Sequence, residues 1–324
     1  MKASSSALQR FLKPFSKKRL SERKHHMFVL CKYDSGDPLS ELVRHSKLTW
    51  EYTPAEQKPN CHVVLTRAAP IVRDIAAALA ALIQLIHELG YSLNGVLRLS
   101  MLYWIPHTKS IKIKGLRKDE LKQRTDDMAI EDYSSIYRIF LDEIFFASKV
   151  PHELREWLYY LKMNPLFYKE LIRGHMFLMD DEAKVGKYCI LYQKLQQVKC
   201  MNMQMYLKAL SFVCAGNCEA LTQWQVEVIQ SELLEAVKNH QDANGRTKVY
   251  TKDEEGLTTF GRHTCAHVLD RSVLCLGNGR YVLRIKLSEI FAHIESFTPG
   301  LFEQLQKAMF IISHDLAAAN LPEL

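Results

Sequence analysis

From Glu131 onward, apolar side chains recur at three- and four-residue spacing in block after block, with few glycines or prolines between them. That period gathers them on one face of a helix, so more than half of the chain can build a core only by packing helices together. The spacing predicts helices over Glu131–Ala147, His152–Lys162, Glu182–Val198, Met203–Val213, Gln223–His240 and Leu257–Leu269, with Leu287–Ala318 as a final pair. Ahead of them, Val72–Leu89 is Ala-rich with the same period, which predicts a long, mostly buried helix that Gly90 ends. Leu97–Trp104 and Ser110–Ile113 are β-prone and flank Pro106-His107-Thr108, the signature of a hairpin. Phe28-Val29-Leu30-Cys31-Lys32-Tyr33 predicts a strand running into the turn Asp34-Ser35-Gly36-Asp37-Pro38, after which Leu39–His45 turns helical. Asn239–Gly256, charged and holding Asn244-Gly245, is expected as an exposed loop. Leu276-Gly277-Asn278-Gly279-Arg280 lacks a third glycine and reads as a hairpin turn rather than a phosphate cradle.

Composition narrows the class. With 48% hydrophobic and 24% charged residues among 324, the chain can bury a large core, which excludes disorder and collagen-like repeats. The net charge of +7 lies wholly in Met1–His26, where eight Lys or Arg face one acid, and the remainder balances 35 basic residues against 35 acidic. This segment is expected as a flexible arm, with Lys17-Lys18-Arg19 serving solubility, localisation or phosphate contact. The basic balance is therefore no evidence of a nucleic-acid surface on the body. The eight cysteines contain no Cys-x-x-Cys pair, and Cys214 and Cys218 are spaced as one helical turn. Reduced thiols and a cytoplasmic or nuclear location follow, with no metal or cofactor expected. The apolar stretch Ile75–Ile86 is shorter than a bilayer span, and the first residues lack a secretory apolar core. Trp50, Trp104 and Trp157 are expected as buried anchors, and Met201–Tyr206 as core.

The order of strand, acidic turn, long helix ending His87-Glu88-Leu89-Gly90-Tyr91, hairpin, charged loop and then Glu131-Asp132-Tyr133-Ser134-Ser135 resembles the C-terminal lobe of a protein kinase. Phe28–Leu39 resembles the hinge strand and its turn, and Asp132 with Ser135 the start of the central helix. A working kinase reads H-R-D-x-x-x-x-N in its catalytic loop and D-F-G at its metal site. Asn94-Gly95-Val96-Leu97-Arg98-Leu99-Ser100-Met101 takes the first place, with Val96 at the catalytic aspartate and Met101 at the metal-binding asparagine. Ile113-Lys114-Gly115-Leu116 takes the second. Ile75 to Lys118 contains no aspartate at all, so neither a hydroxyl nucleophile nor magnesium could be held, and phosphoryl transfer is excluded. No Gly-rich loop or V-A-I-K strand precedes Phe28, so the N-terminal lobe is expected to be missing and ATP not to bind in the usual way.

A second resemblance begins at Gly174-His175-Met176-Phe177-Leu178. It is to the kinase-extension nucleases, the family of ribonuclease L and the inositol-requiring endoribonuclease of the unfolded-protein response. Glu182–Gln197 resembles the helix that connects kinase to nuclease, and Trp224 with Ile229 and Leu233 the Trp-x-x-x-Ile-x-x-x-Leu helix. Within Gly256–Val268, Arg262 matches the family's catalytic arginine and His267 its catalytic histidine. Tyr250 stands within a residue of its catalytic tyrosine. His263 replaces the family's asparagine, Ala266 the first histidine of its pair, and Val268 its following tyrosine. Ile294–Leu301 resembles the Phe-Pro-x-Leu signature before the last helix.

The resemblance implies metal-free RNA cleavage to a cyclic phosphate, with histidine and tyrosine moving protons and arginine holding the phosphate. Arg262 and His267 lie about 140° apart around a regular helix and converge only at its end or at a bend. The fold expected is mainly α: a basic arm at 1–26, a truncated kinase-like C-lobe at 27–178, and an all-helical KEN-type domain at 179–324. RNA is the expected partner. The rival expectation is a non-catalytic pseudokinase scaffold that forms homo- or hetero-dimers with a related kinase or nuclease, without a membrane span.

Overall fold

The computed structural model describes residues 36–53, 64–116, 120–146, 149–214, 223–241, 244–269, 274–275, 281–282 and 286–319. The expected arm, the strand at Phe28–Tyr33 and the turn at Leu276–Arg280 lie outside them. In chain order the elements are β1 (Asp37–Pro38), α1 (Leu39–His45), β2 (Thr49–Tyr52), β3 (Leu65–Ala68), α2 (Pro70–Glu88), β4 (Tyr91–Ser92), β5 (Leu102–Ile105), β6 (Ser110–Ile113), β7 (Lys122–Gln123), α3 (Asp126–Arg138), α4 (His152–Met163) and α5 (Lys169–Arg173). There follow α6 (Asp181–Met201), α7 (Met203–Cys214), α8 (Trp224–Val228), α9 (Glu232–Lys238), α10 (Glu254–Leu269), β8 (Leu274–Cys275), β9 (Tyr281–Val282), α11 (Leu287–Phe297) and α12 (Leu301–Ala318). The protein is thus mainly helical, with small antiparallel sheets.

Two compact units share the chain. The first holds the described residues before Thr49 together with Ile71–Val150 and Leu158–Arg173; the second holds Thr49–Pro70, Pro151–Trp157 and Gly174–Leu324. The chain passes from one to the other within α4. In the first unit, β1, β5 and β6 form one sheet in the order β1-β5-β6, with Leu102 opposite Ile113 and Ile105 opposite Ser110. Lys109 closes the hairpin with a left-handed backbone, φ 46°. Helix α2 is long and apolar enough to cross a membrane by length and composition. Val72, Ile75, Leu79, Ile83 and Ile86 are its fully buried stripe, the pattern of a core helix. Gly90, at φ 83°, ends the helix and donates to the His87 carbonyl, as a C-terminal glycine does without a Cβ penalty.

The second unit is a helical bundle. Helices α6, α7, α11 and α12 pack against one another around Tyr188, Leu195, Tyr206, Phe291, Phe302, Leu305 and Ile312, all buried. Its helices begin where side chains satisfy the first free N–H groups: the Asp180 carboxylate accepts from Ala183 N at 2.8 Å and Ser231 Oγ from Leu234 N at 3.2 Å.

Several expectations need correction. The strand expected over Leu97–Trp104 starts only at Leu102, because residues 99–101 wind into a 3-10 turn whose Met101 N–H donates to the Arg98 carbonyl. The helix expected from Glu131 starts at Asp126, where Thr125 caps it. Gln223–His240 is two helices, since the Ser231 cap restarts the chain after a break at 229–231. Within the expected loop 239–256, Gln241 bridges Thr247 and Tyr250 is buried. Met201 and Met203 are exposed, leaving Tyr206 as the buried member of that stretch. Trp50 is half-buried on β2 of the second unit, against Arg67, while Trp104 and Trp157 are buried as expected. Strands β2 and β3 themselves were not foreseen.

Candidate functional site

In the first unit, one carboxylate organises the turn that the kinase resemblance picks out. Asp132, on the first turns of α3, is fully buried. Its Oδ2 accepts from Ser92 Oγ at 2.7 Å, Leu93 N at 3.0 Å and His87 Nε2 at 2.9 Å, and its Oδ1 accepts from Gly95 N at 2.9 Å. Four donors thus converge on one buried carboxylate. They also hold Asn94 and Gly95 in left-handed backbone, at φ 50° and 73°. A Cβ on Gly95 would lie 3.1 Å from Glu131 Cβ, so both its φ and its packing call for glycine. The turn therefore presents Asn94, Gly95 and Val96, none able to take a proton at neutral pH. Met101 is half-buried, and its carbonyl accepts from Lys114 N at 2.8 Å. The two motif positions are thus backbone neighbours. The Lys114 ammonium sits 4.7 Å from the centre of the Tyr103 ring, and Gly115 turns at φ 78°. A lysine here offers charge of the wrong sign to hold magnesium.

In the second unit, Tyr250 Oη and His263 Nδ1 are hydrogen-bonded at 2.9 Å across 13 residues, with the rings edge to face. The Gln225 side-chain amide holds the strand-like segment from below, donating to the carbonyls of Tyr250 at 2.9 Å and Thr251 at 3.3 Å. Trp224 and Phe260 pack on the phenol. Burial, with Tyr192 nearby, raises the Tyr250 hydroxyl to about 12, so it keeps its proton at neutral pH. Which of the two donates follows the imidazole tautomer.

Arg262, next along α10, faces another way. Its charge acts on Tyr188 and Cys189 of α6, at Tyr188 against the larger effect of burial, which raises that hydroxyl, so the guanidinium lies on the α6 side. His267 is in α10, and its side chain lies outside the described ones. The structure therefore brings Tyr250 to His263 and sets Arg262 on the adjoining face.

Sequence reading missed a third constellation. Arg67 on β3 makes a two-pronged bond to Asp181, at 2.8 and 2.5 Å, between the rings of Trp50 and Phe291. Fully buried Lys184 pairs with Glu153 at 2.6 Å and lies over Phe291. Burial alone would raise the Glu153 carboxyl, but the charges of Lys184 and Arg67 outweigh it and hold the group below its usual range. Glu295 and Glu303 are also buried. Both carboxyls are pushed up, first by burial, Glu303 to about 7. Glu295 accepts from Gly300 N with both oxygens at 3.1 Å, whereas neither oxygen of Glu303 has a hydrogen-bond partner among the described residues. Two cations then face two anions, with the Glu295 carboxyl held neutral and that of Glu303 titrating near 7, a largely balanced core rather than a binding site. No signal in one dimension marks it, because Arg67, Glu153, Lys184 and Glu303 stand at ordinary helix and strand positions far apart in sequence.

No protein-family model and no curated protein sequence matches the chain. Among solved structures it is similar to the PAN3 pseudokinase of Neurospora crassa, with 13% identity and a TM-score of 0.30 over 85% of this chain and 69% of that one.

Proposed function

We propose that the chain is a non-catalytic, kinase-like scaffold that acts by binding proteins, itself or a related kinase or nuclease. The observation that carries this reading is the Asp132 turn: four hydrogen bonds fix its backbone, yet it displays Val96 where a proton acceptor would be required. Positioning without a carboxylate or a metal-binding amide transfers no phosphoryl group. The expected result is no labelled phosphate transfer from ATP and no thermal shift with ATP and magnesium. Sedimentation is expected to show self-association, or a complex with an intact kinase-extension nuclease. A chain that remains monomeric both alone and in that mixture overturns the reading.

A second reading rests on a different observation, the Tyr250–His263 bond. Two of the four residues that the nuclease resemblance names meet across a loop, with Arg262 on the adjoining face of α10. In this reading the second unit binds RNA and cleaves it without metal, His263 and His267 moving protons while Arg262 holds the phosphate. Incubation with single-stranded RNA in chelator tests it. Cyclic-phosphate ends that vanish in both His267→Ala and His263→Ala support it; neither binding nor cleavage at high protein concentration removes it.

A further inference from the structure

We propose that the surface formed by the end of α4 and the turn into α5 is a stacking platform for single-stranded nucleic acid, with Tyr159 and Phe167 receiving bases and Lys162, Lys169 and Arg173 the phosphates. It lies in the first unit and uses neither the Asp132 turn nor the Tyr250–His263 pair, so it stands apart from both readings above.

Four aromatic rings run in an unbroken chain across this surface. Tyr159 meets Tyr160 edge to face with 5.6 Å between ring centres, Tyr160 meets Tyr168 at 4.8 Å, and Tyr168 meets Phe167 at 4.8 Å. The chain crosses from helix to turn because Asn164 folds the backbone: its side-chain oxygen accepts from Phe167 N at 3.3 Å and its carbonyl from Tyr168 N at 3.0 Å. Tyr160 is fully buried and anchors the row, whereas the two end rings stand out, Tyr159 45% exposed and Phe167 41%. Met163, one helical turn after Tyr159, is 58% exposed beside them. Rings needed only for packing would be covered, yet here one contiguous apolar patch is left to water, the mark of a surface that receives a ligand.

Charge decides what kind of ligand suits the patch. Lys162, Lys169 and Arg173 are exposed, and Glu170 is the one acid in the stretch 158–173. Lys169 and Arg173, four residues apart, share a face of α5, and the Lys162 ammonium lies 5.4 Å from the centre of the Tyr137 ring on α3. Ring and cation alternate along the chain, as Tyr159-Tyr160, Lys162, Phe167-Tyr168, Lys169. The body beyond residue 26 is balanced as a whole, so this positive surplus is local.

A ligand that matches both features offers negative charge and flat apolar faces at a regular interval. An acidic peptide supplies the first without the second. A single strand of nucleic acid supplies both at every residue, because its bases are unpaired, and stacking on an aromatic ring tolerates any base. Lys and Arg at the rim then meet the phosphates, with the salt dependence that counterion release brings. A duplex keeps its base faces inside its own stack and presents only phosphate to this surface.

Fluorescence anisotropy of the full chain with labelled oligo(dA) of about 15 nucleotides gives the test. This strand lacks the 2′-hydroxyl that cleavage needs, so binding is read whether or not the second unit cuts RNA. Tyr159→Ala and Phe167→Ala are each expected to weaken binding about fivefold or more, while Tyr159→Phe and Phe167→Tyr, which keep a ring, change it less than about twofold. Lys162→Gln combined with Lys169→Gln is expected to lower the slope of log affinity against log salt by about 1.4. Ultraviolet crosslinking of the parent complex is expected to attach the strand within 159–168, a result that needs no variant to fold. Parent-like binding by both alanine variants would assign the strand to the basic stretch 1–26 and overturn the proposal. A duplex of the same length that binds as tightly overturns it too, as does displacement of the strand by poly-glutamate at equal charge, which would make the surface a site for acidic peptides.

Discussion

Asp132 and Glu303 are both fully buried acids, and their hydrogen-bonding surroundings are opposite. Asp132 receives two backbone N–H groups, a hydroxyl and an imidazole nitrogen. Asp132→Ala strands the amides of Leu93 and Gly95, so we expect a loss of roughly 3 kcal/mol in denaturant unfolding and lost exchange protection at those two amides. Glu303 has no hydrogen-bond partner among the described residues, and burial, opposed by the Lys184 charge, lifts its carboxyl from 4.5 to about 7. The folded chain therefore holds an extra proton between those limits. The stability this group contributes is full below about pH 4.5 and falls as pH rises through about 7. Glu303→Gln stays neutral throughout, so its denaturant midpoint is expected to exceed the parent's near about pH 8, by on the order of 1–3 kcal/mol, and to match it near about pH 4.5. An equal effect at both pH values would contradict the assignment. His175 has the reverse sign. Burial first, with Lys184, lowers it to about 3; its contribution is present above the ordinary 6.5 and lost as pH falls. With the Glu303 slope removed, that loss should appear in the variant below about pH 6.5. Neither residue's state was legible in sequence, since a lone acid on a helix gives no sign of what will cover it.

At the scale of elements, helix positions were legible and helix ends were not. The apolar period located α2, α4, α6, α7, α11 and α12 because burial of one face demands it. Boundaries followed single side chains instead: Thr125, Asp180 and Ser231 each accept a backbone N–H at a helix start. Ser231 is what divides Gln223–His240, and Ser231→Ala is expected to cost about 1 kcal/mol of stability on thermal or denaturant unfolding. Glycines inside α10 carry a larger effect. A Cβ at Gly256 would collide with the backbone carbonyl of Thr251, which cannot yield as a side chain can, and one at Gly261 would displace the Tyr188 hydroxyl. Gly261→Ala is expected to cost roughly 1–3 kcal/mol and Gly256→Ala more. The reverse order in calorimetry would mean that the 250–256 segment gives way more readily than the α6 contact. Tyr250 belongs to this same segment. Sequence spacing put it near Arg262, but the loop turns its hydroxyl to His263 instead, because Phe260 and Trp224 hold the ring from behind.

Across the whole molecule, order should be deepest where helices share buried faces. Helices α6, α7, α11 and α12 pack mutually around the second unit's core, while α8 and α9 are short. Hydrogen exchange is expected to be slowest in the first group and faster in α8 and α9; the opposite order would show that the core does not set local stability. The sequence alone determined that this protein is mainly helical, where most of its helices lie, and that no aspartate stands between Ile75 and Lys118. Those are properties of period and residue identity, which exist before folding. Tertiary structure alone decided that Asp132 holds the turn at 92–95, that Tyr250 meets His263, and that Arg67, Glu153, Lys184 and Asp181 neutralise one another inside the core. Each depends on side chains tens of residues apart being carried to within about 3–4 Å, and on water being excluded once they arrive. A chain read in one dimension contains neither distance nor dielectric.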